Sequence, residues 1–201
     1  DAQAAARVSE RVAALTGLDR ETVRRLAGRI DAGTFRREFG RAGGRVASAY
    51  DGAVSGADPF PASAYANFED PFSDAVAAPL TSAVVTLTRA TLGWKPDGAY
   101  RLSNPEVNRA WNWGGGRDRQ EALSALAQAL ALDPRLRVLV AHGYTDLVTP
   151  YFATALALRQ MSGEGAERVR LRMFAGGHMF YARPGSRADF RAQAQALVAG
   201  E

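Results

Sequence analysis

Strands alternate with helices in the second half of this chain, and that alternation predicts an α/β fold with a parallel sheet. Two apolar runs carry the prediction. Residues 137–141 (Arg-Val-Leu-Val-Ala) read as a short strand buried on both faces, of the kind parallel sheets contain. Residues 169–174 alternate Val169, Leu171 and Met173 with Arg170 and Arg172 after Arg168, which marks a strand with one wet face near a sheet edge.

The elements follow in order. Ala4 to Gly17 places Val8, Val12 and Leu15 at helical spacing, and Asp19 then caps a second helix with Val23, Leu26 and Ile30 on its apolar face. Leu18 and Val23 bracket that cap as a hydrophobic staple. After a Gly-punctuated basic segment, Arg45 to Tyr50 and Ala53 to Ser55 flank Asp51-Gly52, a dipeptide suited to the positive φ of a tight hairpin turn. Asp58 to Pro79, rich in Pro, Asp and aromatics (Phe60, Tyr65, Phe68, Phe72), reads as a long ordered loop, and Ala75 to Leu92 as one further helix.

The signals sharpen beyond Tyr100. Asp118 with Glu121 forms a capping-box pattern before Leu123, Leu126 and Leu130, and Asp133-Pro134 stops that helix. The first strand follows and Gly143 ends it. Thr149-Pro150 is an N-cap with proline in the first helical position, opening a helix through Phe152, Ala155, Leu156 and Met161. The second strand leads to a last helix near Ser186, with Phe190, Ala194, Leu197 and Val198 on one face. Two strands cannot close a doubly wound sheet, so the chain is expected to be part of a larger fold.

Composition narrows the function classes. With 201 residues, 47% hydrophobic and 23% charged, the chain is a folded globular protein. It has no cysteine, which excludes disulfides, thiolate metal sites and cysteine nucleophiles but leaves the compartment undecided. No apolar run approaches the roughly 20 residues of a membrane-spanning helix, and no signal-peptide pattern opens the chain. Because the first residue is Asp1 rather than methionine, an upstream segment is expected to have been removed. The net charge of +4 comes wholly from residues 1–50, with ten Arg against six acidic residues. Lys95 is the one lysine, so the excess reads as a solvated helix face rather than a nucleic-acid surface.

The chemistry lies in two loops, each just past the C-terminal end of a strand, where open α/β sheets place active sites. They are His142-Gly-Tyr-Thr-Asp146-Leu-Val-Thr-Pro150 and Ala175-Gly-Gly-His178-Met-Phe-Tyr181. An Asp and a later His from consecutive strand ends suit the orienter and general base of a nucleophilic triad. Gly176 and Gly177 would let the second loop turn back toward the first.

The run from Arg137 through Asp146 to Thr154, with Gly176-Gly-His-Met-Phe-Tyr181, resembles the bacterial branch of the serine carboxypeptidase family, as do Trp111-Asn-Trp113 and Asp133-Pro-Arg-Leu136. The resemblance is specific over about residues 105–195. It implies the C-terminal part of an α/β-hydrolase sheet (105–201) with a mainly helical cap insertion (1–104), cleaving the last peptide bond of a peptide with a free C-terminal carboxylate. It assigns Asp146 as triad acid, His178 as triad base and Met179 to the subsite of the departing residue. It implies no cofactor, and export to the periplasm or medium. Phe60, Tyr65, Phe68 and Phe72 would be core or substrate wall in the cap.

One departure stands out. No serine lies in a Gly-x-Ser-x-Gly elbow; the nearest candidate, Ser55, reads Ala-Val-Ser-Gly-Ala. The nucleophile is therefore expected in an N-terminal half of the same protein, leaving this chain inactive alone. Two other readings are a metal-dependent hydrolase using His142, Asp146 and His178, and a non-catalytic binding module built on the arginine-rich helices. Gly114 to Gly116 is a flexible turn rather than a phosphate loop, since no Lys-Ser/Thr follows.

Overall fold

The computed structural model describes residues 2–63, 70–95, 97–112, 122–161, 163 and 165–200. Tyr65, Phe68, Trp113, Gly114 to Gly116 and the Asp118 and Glu121 pattern lie outside them.

Helices α1 (Ala2–Thr16) and α2 (Arg20–Arg25) pack together. Asp19 caps α2 as expected, its carboxylate accepting the Thr22 N–H at 2.8 Å. Ala13, Leu18 and Val23 form a small buried cluster flanked by Val12, Ile30 and Phe35. The apolar face expected for α1 is corrected, because Val8 and Leu15 are 54% and 72% exposed while Ser9 and Ala13 are buried. So short a partner as α2 covers a narrow stripe of α1, and small residues occupy that stripe. α2 itself stops before Ile30, because Ala27 and Gly28 turn left-handed with φ of 52° and 74°.

α3 (Ala32–Glu38) fills the segment read only as basic and Gly-punctuated, with Asp31 capping it through the Thr34 N–H. β1 (Arg45–Ala47) and β2 (Ser55–Ala57) make the expected antiparallel hairpin, with Val46 opposite Gly56. Its turn differs from expectation. The connection spans residues 48–54 and Gly52 is outside the positive-φ region. Glycine serves close approach there, since a Cβ would sit 3.3 Å from the Leu147 side chain and the Thr145 carbonyl.

α4 (Pro71–Thr86) begins well before the expected end of the preceding loop. Asp70 caps it by accepting the Phe72 and Ser73 N–H groups at 3.1 and 3.3 Å, and Pro71 takes the first helical position. A π-helical turn, Leu87–Thr91, extends it, so the helix expected over 75–92 is present but starts earlier. α5 (Pro105–Ala110) follows, and α6 (Leu123–Leu132) stops at Asp133 as expected.

β3 (Val138–Gly143) and β4 (Val169–Phe174) pair in parallel, with His142 opposite Met173 and Gly143 opposite Phe174. Among the described residues this parallel sheet has two strands, and Val138 to Ala141, within the run expected to be buried on both faces, are half-buried. α7 (Tyr151–Gln160) joins the strands and α8 (Pro184–Ala199) closes the chain. One face of β4 carries Arg170 and exposed Arg172 but ends in buried Phe174, which stacks on Phe180 at 4.7 Å and meets Phe190 of α8 edge-on at 5.7 Å. On the other face Val169, Leu171 and Met173 line an open cleft with Tyr151, Phe152 and Ala155 of α7. The molecule is α/β in class, mainly helical with small sheets.

Candidate active site

The two strand-end loops meet. Parallel pairing puts the C-terminal ends of β3 and β4 side by side, and the loops are held there by Tyr144 N–H on the Phe174 carbonyl and Thr145 N–H on the Gly176 carbonyl, both at 3.0 Å. Small residues make this approach possible. A Cβ on Gly143 would overlap the Gly176 and Gly177 carbonyls, and Gly176 takes a left-handed φ of 123°. Gly177 is required for a different reason, since its Cβ would overlap the backbone of Tyr50 and Asp51.

Asp146 and His178 come together at these loop ends. His178 Nδ1 lies 2.9 Å from Asp146 Oδ2. A carboxylate accepts, so Nδ1 carries the proton and Nε2 is left as the basic nitrogen. The Asp146 side chain is buried while that of His178 is 40% exposed, which leaves the imidazole reachable from outside.

Asp146 is well supplied with donors. Its Oδ1 accepts the Val148 and Thr149 N–H groups at 2.8 and 3.0 Å, and its Oδ2 also accepts the Thr149 hydroxyl at 2.7 Å. Burial alone would raise the pKa of this carboxyl, but the Thr149 hydroxyl and N–H, His178 and the Val148 N–H together outweigh it and hold the group below its ordinary value. The carboxylate stays charged beside the imidazole.

Thr149 was expected as the cap of α7. Its hydroxyl serves Asp146 instead, and Pro150 occupies the N-cap with no side-chain hydrogen bond. His142 is placed differently from His178, with its Nδ1–H donated to the Thr149 carbonyl at 3.1 Å. That bond occupies one of its two nitrogens, and among the described residues no group of three or more His, Asp or Glu is arranged to hold a metal. Met179 follows His178 directly and is half-buried, with its carbonyl accepting the Ala182 N–H at 2.9 Å. Of the aromatics expected in a cap, Phe60 is 54% exposed rather than core, and Phe72 is half-buried.

The N-terminal part of the chain reaches the site through Ala49 to Gly52. The Tyr50 carbonyl accepts the His178 N–H at 2.6 Å, and the Tyr50 ring meets the His178 ring edge-on at 5.5 Å. In sequence Asp51-Gly52 reads only as a turn. The position of Asp51 between two chemistry-bearing loops has no signature in a single sequence.

Five of the ten arginines of residues 1–50 are ion-paired. Arg37 is buried against Asp58 and also donates to the Phe60, Pro61 and Ser63 carbonyls; Arg36 pairs with Asp70, Arg41 with Glu38, and Arg20 and Arg24 with Glu10. This ordering weakens the case for a free basic patch.

No family model, curated protein or solved structure matches the chain.

Proposed function

We propose that the chain supplies the acid and base of a serine-type carboxypeptidase of α/β-hydrolase fold, with the nucleophilic serine contributed by an N-terminal half of the same protein. The observation that carries the reading is the Asp146–His178 pair, 2.9 Å apart at adjacent ends of two parallel strands, with the imidazole tautomer set for Nε2 to act as base. Among the described residues no serine hydroxyl bonds to His178: Ser48 is bound to Asp70 and Ser186 to the Ala175 carbonyl. The nucleophile is required from elsewhere.

In the proposed reaction, Nε2 of His178 takes the serine proton as the hydroxyl attacks the last peptide carbonyl. Asp146 stabilises the imidazolium, which then protonates the departing amino acid, and water releases the acyl-enzyme by the same route. Met179, beside the base, would line the subsite of the departing residue, and residues 1–104 would form the cap. The binding partner is a peptide with a free C-terminal carboxylate. No nucleic acid, membrane or cofactor enters the scheme, and the resemblance favours a secreted or periplasmic setting.

The test is labelling by a serine-directed phosphonate, with and without the upstream region. Labelling only in the complete protein, with hydrolysis of a blocked dipeptide insensitive to chelator, is the expected outcome. Chelator-sensitive hydrolysis with stoichiometric bound metal would sink it.

A further inference from the structure

The buried carboxylate of Asp51 has no place in the scheme above, yet it is bonded to both loops that carry the dyad. Its Oδ1 accepts the hydroxyl of Thr145, the residue before Asp146, at 2.6 Å. Its Oδ2 accepts the guanidinium of Arg183, from the far end of the His178 loop, at 3.1 Å. These partners are 94 and 132 residues away in sequence, so the contacts are tertiary. The flanking backbone makes the same bridge: Gly52 N–H donates to the Thr145 carbonyl at 2.8 Å, Leu147 N–H to the Ala49 carbonyl at 3.0 Å, and His178 N–H to the Tyr50 carbonyl at 2.6 Å. The segment is in turn anchored from behind. Asp51 N–H donates to the Ser48 hydroxyl at 3.0 Å, which donates to Asp70 Oδ1 at 2.6 Å.

We infer that Asp51 is a positioning residue for the Asp146–His178 dyad, acting as a wedge whose carboxylate fixes the separation of the two loops. The inference rests on the dyad reading proposed above. A mere hairpin-loop acid would need only its bond to the Ala53 N–H, present here at 3.1 Å. The two further bonds go to the loops of the dyad, one to each. Asp51→Asn turns one acceptor oxygen into a donor, so the bonds to Arg183 and Thr145 cannot both be kept, and the loops, still joined by their own backbone bonds, lose the side-chain contact they share. Arg183 is exposed and Thr145 half-buried, so each would turn to water or another partner and the loops would no longer be tied through the buried Asp51.

The chain has two histidines, which makes the test clean. Nitrogen-15 imidazole spectra of the full chain report the tautomer of each ring separately. In the unsubstituted protein His178 should show the Nδ1–H form and a downfield proton from its bond to Asp146. Asp51→Asn preserves volume, and Thr145→Val with Arg183→Met removes both partners without touching Asp51. In either variant His178 should lose its single Nδ1–H form and its downfield proton while His142 keeps its own pattern. In the complete hydrolase kcat should fall by about 10²-fold, as expected for a misplacement near 1 Å, with KM little changed. An unchanged His178 spectrum in both variants would overturn the proposal, as would a simultaneous change of His142 showing general loosening. Absence of the Nδ1–H form in the unsubstituted protein would instead overturn the dyad reading on which the proposal stands.

Discussion

Residues 143–147 and 175–183, with the inserted segment 48–52, contrast sharply with residues 86–112. The first region is no less apolar in sequence than the second, yet polar groups tie it together: buried Asp51 and Asp146 each accept several donors, and backbone bonds join three distant parts of the chain. The second is rich in large apolar side chains and buries none of them. Leu92, Trp94, Val107 and Trp111 are all more than half exposed, and the Trp94 N–H bonds locally to the Thr88 carbonyl. Hydrophobic content therefore does not locate the ordered centre of this chain. Long-range polar bonding does.

The largest effect that would break this comparison is on catalysis. His178→Ala in the complete protein should cost on the order of 10³-fold or more in hydrolysis of a blocked dipeptide, because a triad without its base retains only binding and oxyanion stabilisation. His142→Ala should cost about tenfold, through the Thr149 carbonyl it supports beside Asp146. Equal losses would mean that the two histidines do the same work, contrary to their different hydrogen bonds.

Effects on stability come next. Leu130 is 1% exposed, and Leu130→Ala should lower unfolding free energy by roughly 2–5 kcal/mol in urea titration. Its carbonyl is tied to Arg168, which also binds the Asp133 and Leu136 carbonyls and so closes the C-terminal end of α6. A loss under about 1 kcal/mol would show that this packing is loose. Asp70→Ala should follow at about 2 kcal/mol, more than the typical 1 kcal/mol of a cap, since Arg36, Ser48 and the Ala49 N–H lose their acceptor as well. Asn104→Ala, removing a cap bonded only to the Glu106 N–H, is the control and should cost about 0.5–1 kcal/mol.

These residues also show what a single sequence discloses. β4 runs over the residues its alternation predicts, and β3 includes its apolar run, because strand period and apolar continuity are local properties. Asp146 and His178 were legible for the same reason, each lying just beyond a strand. Asp70-Pro71 was a readable helix start that the surrounding Pro and aromatic residues masked. α3 was hidden by glycines at its margins and by Gly33 inside it. Asp51 was misread because Asp-Gly fits a tight turn and a tertiary wedge equally well, and only the fold distinguishes them. Thr149 was misread likewise: its hydroxyl could accept from the free N–H groups of a helix start or donate to the Asp146 carboxylate, and it does the second.

A further effect is confined to acid solution. The folded-state pKa of Asp146 is lowered, so its ionised form is favoured by folding. That contribution is fully present above the unfolded carboxylate value, about 3.9, and is lost as pH falls through the lower folded value. Asp146→Asn should therefore flatten the acid side of the stability curve below about pH 4, measured by urea unfolding at successive pH values. An unchanged acid limb would show that the hydrogen bonds to Asp146 do not favour its charged form.

The smallest expected effect tests the other half of the comparison. Leu92 is 64% exposed and Trp94 61% exposed, so truncation removes little contact area and leaves no cavity. Leu92→Ala and Trp94→Ala should each change unfolding free energy by no more than about 0.5 kcal/mol, the usual range for surface positions. The tryptophan variant carries an internal check, because an exposed indole emits at long wavelength and its removal should subtract a red-shifted component from the fluorescence of the folded chain. The urea midpoint and slope should stay where they are. A loss above about 1 kcal/mol, or subtraction of a blue-shifted component, would show that residues 86–112 pack against something in solution, and the contrast between a fixed polar centre and an open apolar stretch would fail.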